Sequence, residues 1–248
     1  MKKRESVLGP LSVKSPDHIY HIMNRGVDGR SIFLDDYDRL RFIHDLFEFN
    51  DENPSSNLHY FFDKQKHSMD IGRPYIHQQE ERKTLVDIFA FSIMPNHYHM
   101  LVQPKTENAL PLFMKKLNMG YAKYFNEKYT RTGALFQGKY KAVLIEREAH
   151  FIHLPYYIHL NPLDMDFPEW RKRVLQNPKK ALKFLEAYRW SSHPDYLGKH
   201  NFPSVIEKHL LLDVFGNEKI YAESFASWLG ELDYKKFYDD QSLPLLLE

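Results

Sequence analysis

The chain has 248 residues, a length that suits one domain with attachments or two small domains. It contains no cysteine, which excludes disulfides, zinc–cysteine sites and thiol catalysis. The net charge of +1 argues neither for nor against nucleic acid, and neither a membrane-spanning stretch nor a signal peptide is recognisable, so a cytoplasmic protein is expected.

Periodicity predicts seven elements in the first two thirds of the chain. Alternating apolar residues indicate strands, and apolar residues three and four apart indicate helices. In chain order the elements are strand 18–25, helix 35–50, strands 85–94 and 97–103, helix 108–129, strand 139–146 and helix 148–161. The first six match a ferredoxin-like α+β fold, an antiparallel sheet with helices on one face and the other face open for a ligand.

Two segments fall outside this arrangement. Residues 51–83 are polar and rich in His and Gln, which predicts an insertion or long loop with room for a short hairpin. Beyond residue 167 the pattern predicts a C-terminal helical extension with helices at 181–188, 203–215 and 218–229. We therefore expect a core domain over residues 1–165, with 51–83 inserted, and a helical extension over 166–248.

Charge is unevenly distributed along the chain. Residues 113–141 hold seven basic side chains against one acid, and residues 169–189 are also basic. From residue 203 onward acids outnumber bases. This pattern suits a phosphate-binding face and a separate, acidic end of the chain that does not bind phosphate. Two solvated helix faces would produce the same pattern.

Two histidines two residues apart are the most informative feature. His97 and His99 lie in a run of strand-forming residues, so their side chains point to one side while Tyr98 and Met100 point to the other. Neighbouring imidazoles can bind one metal ion. The structural alternatives are polar residues on an exposed sheet face or hydrogen-bonded core histidines. The lack of thiolates, and of a further histidine after His99, argues against a zinc hydrolase.

A tyrosine and an amide form the second part of the pattern. Tyr157 and Asn161 are four apart on a predicted helix and share one face, whereas the competing Tyr156 has Leu160 in the equivalent place. Alone, the pair is typical of a core-edge tyrosine and a helix end; with the histidines it predicts a metal-assisted nucleophilic site for phosphoryl transfer. Pro155 should kink this helix or start it anew, so we hypothesise a hinge before Tyr157.

Several short motifs occur in an order that resembles the single-tyrosine HUH transposase family, and more closely its REP-associated tyrosine transposase branch. The motifs are residues 20–26, 32–36, 94–102, 124–126, 131–140, 157–162, 190–192 and 196–198. Each alone is unspecific, but their joint occurrence is highly specific. The resemblance extends over residues 15–200, most of the chain.

The resemblance implies a defined chemistry. His97 and His99 would bind a divalent ion, Mg²⁺ or Mn²⁺, with Asn161 as the third protein ligand. Tyr157 would attack a phosphodiester in single-stranded or hairpin DNA, leaving a 5′-phosphotyrosine and a free 3′-hydroxyl, and the reverse attack would rejoin strands. We therefore predict a transposase-like DNA transesterase that acts at hairpin-containing repeats. The resemblance also implies a homodimer joined through the sheet, although the REP-associated branch includes monomers.

Binding of such DNA should involve basic residues and depend on salt. The candidate DNA contacts are Arg25, Lys115, Lys116, Lys123, Arg131 and Lys139. Two other functions remain open: a nucleic-acid-binding regulator that keeps the fold but does not cut, and a metal-dependent hydrolase of small phosphoesters. Only the transesterase forms a covalent, Tyr157-dependent DNA adduct. The regulator should bind nucleic acid equally well in chelator, and the hydrolase should survive Tyr157→Phe.

Overall fold

The computed structural model describes residues 18–53, 60–63, 68–71, 82–146, 148–172 and 174–231. The strands within these ranges are β1 (Tyr20–Arg25), β2 (Tyr60–Asp63), β3 (Ser68–Ile71), β4 (Val86–Met94), β5 (His97–Pro104) and β6 (Lys141–Leu144). The α-helices are α1 (Asp36–Glu48), α2 (Ala109–Lys128), α3 (Glu148–Leu160), α4 (Leu163–Asp166), α5 (Pro178–Ala187), α6 (His193–Tyr196), α7 (His209–Phe215) and α8 (Glu218–Glu231). Short 3₁₀ helices occupy Val27–Gly29 and Pro168–Lys172.

Four of the strands form one antiparallel sheet in the order β4-β5-β1-β6. The order is that of the ferredoxin-like fold, in which the first strand lies between the third and the fourth, so the predicted fold class is confirmed. Pro95 and Asn96 alone connect β4 to β5, as expected for the predicted hairpin. Within the predicted insertion, β2 and β3 pair with each other in a separate antiparallel sheet.

One face of the four-stranded sheet is covered by α1 and α2, and we call it the helix-covered face. Ile22, Tyr98 and Met100 project from it into an apolar core that contains Phe42 of α1 and Tyr121 of α2, and all five are fully buried. The first of these helices begins at a capping box. The Asp35 carboxylate accepts the Asp38 backbone N–H at 2.9 Å, and the Asp38 carboxylate accepts the Asp35 N–H.

The opposite face carries His21, His97 and His99, and we call it the cleft face. It was expected to stay open, but α3 and the C-terminal helices pack against its β4–β5 side, where Phe89 and Leu101 join a second apolar core. The reason is that α3 is apolar on nearly every side, so it needs burial against both the sheet and the helices after it. Among the described residues, the cleft face therefore stays open around His97 and His99 and towards β1 and β6.

The chain after α5 completes the outer edge of β4. The Ile93 N–H donates to the Trp190 carbonyl at 2.9 Å, and the Ser192 N–H donates to the Phe91 carbonyl at 3.0 Å. Further on, the Glu207 N–H donates to the Ile88 carbonyl at 2.8 Å. Because this bond holds Glu207 against β4, the helix predicted for 203–215 begins only after it and is limited to α7.

Two further findings concern the helices. Helix α3 runs through Pro155 without a break, so the prediction of a new start at this proline is wrong, and the structure gives the hinge hypothesis no support. None of the described helices is both long and apolar enough to cross a membrane.

Candidate active site

The predicted histidine pair lies at the turn end of β5. His97 and His99 project from the same face, with ring centroids 5.2 Å apart. In the antiparallel register, Arg25 of β1 lies opposite His97, and Met23 lies opposite His99. The alternation of side chains along β5 therefore predicted correctly that both imidazoles project from one face. The pairing of β5 with β1 also places Arg25 beside His97.

One ring nitrogen of each histidine has a protein partner. The His97 Nδ1–H donates to the Asn96 side-chain oxygen at 2.6 Å, and the Asn96 amide is oriented by its own bond to the Gly29 carbonyl. His99 Nδ1 shares a hydrogen bond of 2.9 Å with His21 Nε2. These bonds fix the ring orientations and leave Nε2 of both His97 and His99 as the nitrogens for an external ligand.

Both imidazoles are held in the neutral form. Burial, with the nearby Arg25 guanidinium adding to it, lowers the pKa of His97 to about 4. Burial and the neighbouring His21 lower the pKa of His99 well below its ordinary value. A neutral imidazole is the form that binds a metal ion, so the site needs no deprotonation before binding.

Helix α3 brings Tyr157 against the same histidines. The Tyr157 ring lies 6.0 Å from that of His99 and 6.4 Å from that of His21, both edge to face. One turn later, the Asn161 side-chain amide donates to the Tyr157 carbonyl at 2.8 Å. Tyr157 is only 3% exposed and Asn161 is fully buried, so this end of the site lies beneath the surface.

The neighbouring tyrosine has different surroundings. Tyr156 packs among the rings of Phe215, Tyr221, Phe225 and Trp228, with 5.1 Å to the nearest centroid. Burial raises its pKa to about 12, which disfavours the phenolate. Tyr156 therefore faces a hydrophobic core, whereas Tyr157 faces a polar site.

An arginine that the sequence did not single out joins the site. Arg171 donates from Nη1 to the Tyr157 hydroxyl at 2.8 Å and from Nη2 to the Asn161 side-chain oxygen at 2.9 Å. Its Nε and Nη2 also bind both carboxylate oxygens of Asp164, at 2.9 and 2.7 Å. Burial alone would lower the pKa of Arg171, but the bonds to Asp164 and Tyr157 raise it above its ordinary value. The only sequence signal was its place in the basic stretch 169–189.

An open cleft of about 750 Å³ lies in front of these groups. Its lining residues are Met23, Asn24, Arg25, His97, His99, Gln137, Gly138, Lys139, Lys141, Asp164 and Arg171. Of the six candidate DNA contacts, the structure thus brings Arg25 and Lys139 to the histidines, together with Lys141, which the sequence analysis did not select. A bound phosphate in this cleft would meet several cations at once.

The other four candidates do not line the cleft. Lys115 and Lys123 are exposed on α2, the helix that packs on the opposite face of the sheet. Lys116 donates to the carbonyls of Asp51 and Asn53, and Arg131 donates to the Asn126 side chain at 3.0 Å. A single strand bound at the histidines would have to wrap around the sheet to reach Lys115 and Lys123.

The side chains around His97 and His99 include possible ligands for a divalent metal ion. Among the described residues no group of three His, Cys, Asp or Glu side chains is placed to hold a metal, which directs attention to neutral oxygens as candidates for a third protein ligand. The Asn161 amide oxygen is the one that the sequence predicted, and it keeps one lone pair beside its bond from Arg171. Two neutral imidazoles and an amide oxygen suit Mn²⁺ or Mg²⁺ with water completing the shell.

A match to a protein-family model agrees with the resemblance given by the motifs. Residues 60–161 match the family model described as "Transposase IS200 like", and this segment contains both histidines, Tyr157 and Asn161. No curated protein matches the chain. Among solved structures, a REP-associated tyrosine transposase bound to a REP hairpin aligns with 12% identity and a TM-score of 0.42, over 85% of this chain and 93% of that one. The family match supports DNA processing of the transposase type.

Proposed function

We propose that this protein is a metal-dependent transesterase that cleaves and rejoins single-stranded DNA, at hairpin-containing repeats, through a 5′-phosphotyrosine intermediate. One observation carries the proposal. Two neutral imidazoles from β5 line a cleft that also contains Arg25 and Lys139, and the Tyr157 ring of α3 lies beside them, 6.0 Å from that of His99. A cleft with this chemistry suits a phosphodiester whose phosphorus is attacked by a phenol.

In the proposed reaction, the Tyr157 oxygen attacks the phosphorus in line with the leaving 3′-oxygen. The Oη–P bond forms, the P–O3′ bond breaks, the phenolic proton passes to solvent, and the 3′-oxygen takes up a proton. His97, His99 and Asn161 would hold a divalent ion, which supplies Lewis-acid stabilisation of charge on the phosphate. Because the ester bond is retained in the phosphotyrosine, attack by another 3′-hydroxyl regenerates a DNA strand without ATP.

The remaining expectations are also part of the proposal. Residues 1–165 would form the catalytic domain, and 166–248 its helical extension. Arg25 and Lys139 would bind backbone phosphates. A homodimer joined through the sheet would have to use the β6 edge, because residues 190–192 occupy the β4 edge. The protein would act in the cytoplasm.

The test is formation of a covalent protein–DNA adduct. The purified chain is incubated with 5′- or 3′-labelled single-stranded hairpin DNA and Mn²⁺ or Mg²⁺, then separated under denaturing conditions. We expect a metal-dependent adduct that carries the strand on the 3′ side of the cut. Tyr157→Phe should abolish it, and His97→Ala should lower it by about 10²-fold or more. Tyr156→Phe is the matched control, because it removes the adjacent hydroxyl on the same helix.

The outcomes separate the competing functions. An adduct that survives Tyr157→Phe and disappears in Tyr156→Phe would keep the reaction class and refute the choice of nucleophile. A non-cleaving regulator is the second candidate, because Tyr157 is only 3% exposed and its hydroxyl is bound to Arg171. Hairpin binding that persists in chelator, with no adduct across varied hairpins and both metals, would establish that candidate.

A further inference from the structure

Arg171 is a residue of the site that lies, like its partner Asp164, outside both the motifs and the family match. It lies ten residues beyond Asn161 and outside the matched residues 60–161. The chain returns to α3 through the short helix α4 and the 3₁₀ helix Pro168–Lys172. Trp170 anchors this return, since its indole is 1% exposed and packs in the second apolar core. The sequence beyond Pro162 therefore delivers a cation to Tyr157.

The guanidinium is held in one orientation by two neighbours, Asp164 and Trp170. Both Asp164 carboxylate oxygens accept from it, at 2.9 and 2.7 Å, which is the fork geometry that arginine forms with carboxylates. Asp164 itself accepts the Trp170 indole N–H at 2.6 Å. The guanidinium carbon also lies 4.4 Å from the centroid of the Trp170 ring. A cation fixed in this way can act on a reaction without first being ordered.

The Arg171 guanidinium contacts the Tyr157 hydroxyl oxygen, the proposed reacting atom, and the same side chain also lines the cleft. Nη1 donates to the Tyr157 hydroxyl oxygen at 2.8 Å, and the Arg171 side chain is 39% exposed and lines the cleft. An arginine has five N–H groups, of which Asp164, Asn161 and Tyr157 take four. One Nη1 N–H thus remains within the described part of the chain for a phosphate oxygen.

We propose that Arg171 is a catalytic residue that stabilises negative charge on the Tyr157 oxygen and on the phosphate it attacks; this inference rests on the proposed function. In the forward step, charge on the phenol oxygen grows as its proton leaves, and an N–H donor at 2.8 Å favours that form. In the reverse step, the same donor stabilises the departing phenolate as the P–Oη bond breaks. Asp164 is then a positioning residue that acts through Arg171.

The test compares single-turnover rates of adduct formation at saturating hairpin DNA in the full chain. Arg171→Ala should slow the reaction by about 10²- to 10³-fold, the loss typical of removing one charge-stabilising donor, while hairpin affinity changes by less than about threefold. Arg171→Lys, which keeps the charge and loses the fork, should fall between Arg171→Ala and wild type. Millimolar guanidinium should partly restore Arg171→Ala and leave Arg171→Lys unchanged. Lys172→Ala, an exposed neighbour with the same loss of charge, should react at the wild-type rate.

Each alternative result has a distinct meaning. If Arg171→Ala forms the adduct at or above the wild-type rate, Arg171 merely covers Tyr157 and the proposal is overturned. If Arg171→Ala does not fold, a folded Arg171→Gln, which removes the charge, with full activity overturns it equally. If wild type forms no adduct, both the proposed function and the role of Arg171 are rejected. A wild-type adduct with unaffected Arg171 variants rejects the role of Arg171 alone.

Discussion

The two faces of the four-stranded sheet are built from alternate residues of the same strands, yet they differ in almost every property. On β5, Tyr98 and Met100 are fully buried in the helix-covered face, among aromatic rings from α1 and α2. His97 and His99, between and beside them, project from the cleft face towards a cleft lined by cations. A shift of the strand register by one residue would exchange the two sets, so the apolar face also secures the position of the imidazoles.

The difference shows how stability and chemistry are divided in this molecule. The helix-covered face buries large apolar side chains, which is the main source of folding free energy. The cleft face instead carries neutral imidazoles and is packed by a buried tyrosine and a partly exposed arginine, each joined to a specific polar partner. Substitutions on the helix-covered face should therefore mainly lower the free energy of unfolding, whereas substitutions on the cleft face should mainly lower activity or ligand affinity.

The largest effect on folding is expected on the helix-covered face. Phe42 is fully buried, with ring centroids of Phe33, Tyr98 and Tyr121 within 5.1 Å. Phe42→Ala should lower the free energy of unfolding by about 3–5 kcal/mol, because it loses apolar burial and leaves a cavity. His97→Ala on the cleft face should change it by less than about 1 kcal/mol. Urea denaturation measures both, and equal losses would contradict the division between the faces.

A smaller effect is expected from His21, which lies behind His99 on the cleft face. His21→Phe removes the partner of His99 Nδ1 while keeping a ring of similar shape. Because an outer partner fixes the orientation of a ligand, the affinity for Mn²⁺ should fall about 10- to 100-fold in calorimetric titration. His21→Gln, whose side-chain oxygen can accept the same bond, should recover part of the loss. Unchanged Mn²⁺ affinity in His21→Phe would show that the His21–His99 bond is dispensable.

Two buried histidines, His159 of α3 and His193 of α6, predict how stability depends on pH. His159 and His193 are fully buried and both bond to the Tyr221 hydroxyl, and burial lowers the pKa of His193 from 6.5 to about 3. Below pH 6.5 the unfolded chain takes up a proton that folded His193 does not, so stability is lost as the pH falls from 6.5 towards 3. The slope per such histidine is about 1.4 kcal/mol per pH unit.

Urea midpoints between pH 7.5 and 4.5 measure that slope. His193→Gln should reduce it, and His200→Gln, which removes an exposed histidine, should leave it unchanged. An identical slope in wild type and His193→Gln would exclude His193 as a source.

The smallest expected effect is on the affinity for hairpin DNA, and it distinguishes cations of the cleft from cations of α2. Arg25→Ala and Lys139→Ala remove charges from the cleft, so each should weaken hairpin binding and reduce the salt slope of the affinity by about 1. Lys115→Ala and Lys123→Ala remove charges from α2, beyond the helix-covered face, and should change the affinity less. Fluorescence anisotropy from 50 to 300 mM salt tests this. Equal effects from both pairs would mean that DNA wraps around both faces.

Much of this architecture could be predicted because it depends on local patterns. The alternation in β5 predicted which side His97 and His99 occupy, and the four-residue spacing put Tyr157 and Asn161 on one side of α3. Asp35 before an amphipathic run predicted the start of α1 within a residue.

The rest depended on contacts between distant parts of the chain. Arg171 could not be distinguished from other basic residues of 169–189, because its role arises only when the chain folds back onto α3. The open face was predicted only in part for the same reason, since the pattern of α3 did not reveal that this helix and its neighbours would cover the β4–β5 side. His21 was visible in the alternation of β1, but nothing in the sequence indicated its bond to His99.

The strand-like contact of residues 190–192 with β4 has a consequence for aggregation. An uncovered edge strand offers a row of free N–H and carbonyl groups on which another chain can add. Trp190 and Ser192 satisfy such groups on Ile93 and Phe91, and the Ser192 hydroxyl also accepts the Phe91 N–H at 2.9 Å. A shortened protein that ended at residue 165 would expose this edge together with the apolar surface of α3. We therefore expect it to self-associate, so that the C-terminal extension would protect the protein against misassembly in addition to placing Arg171 at the cleft.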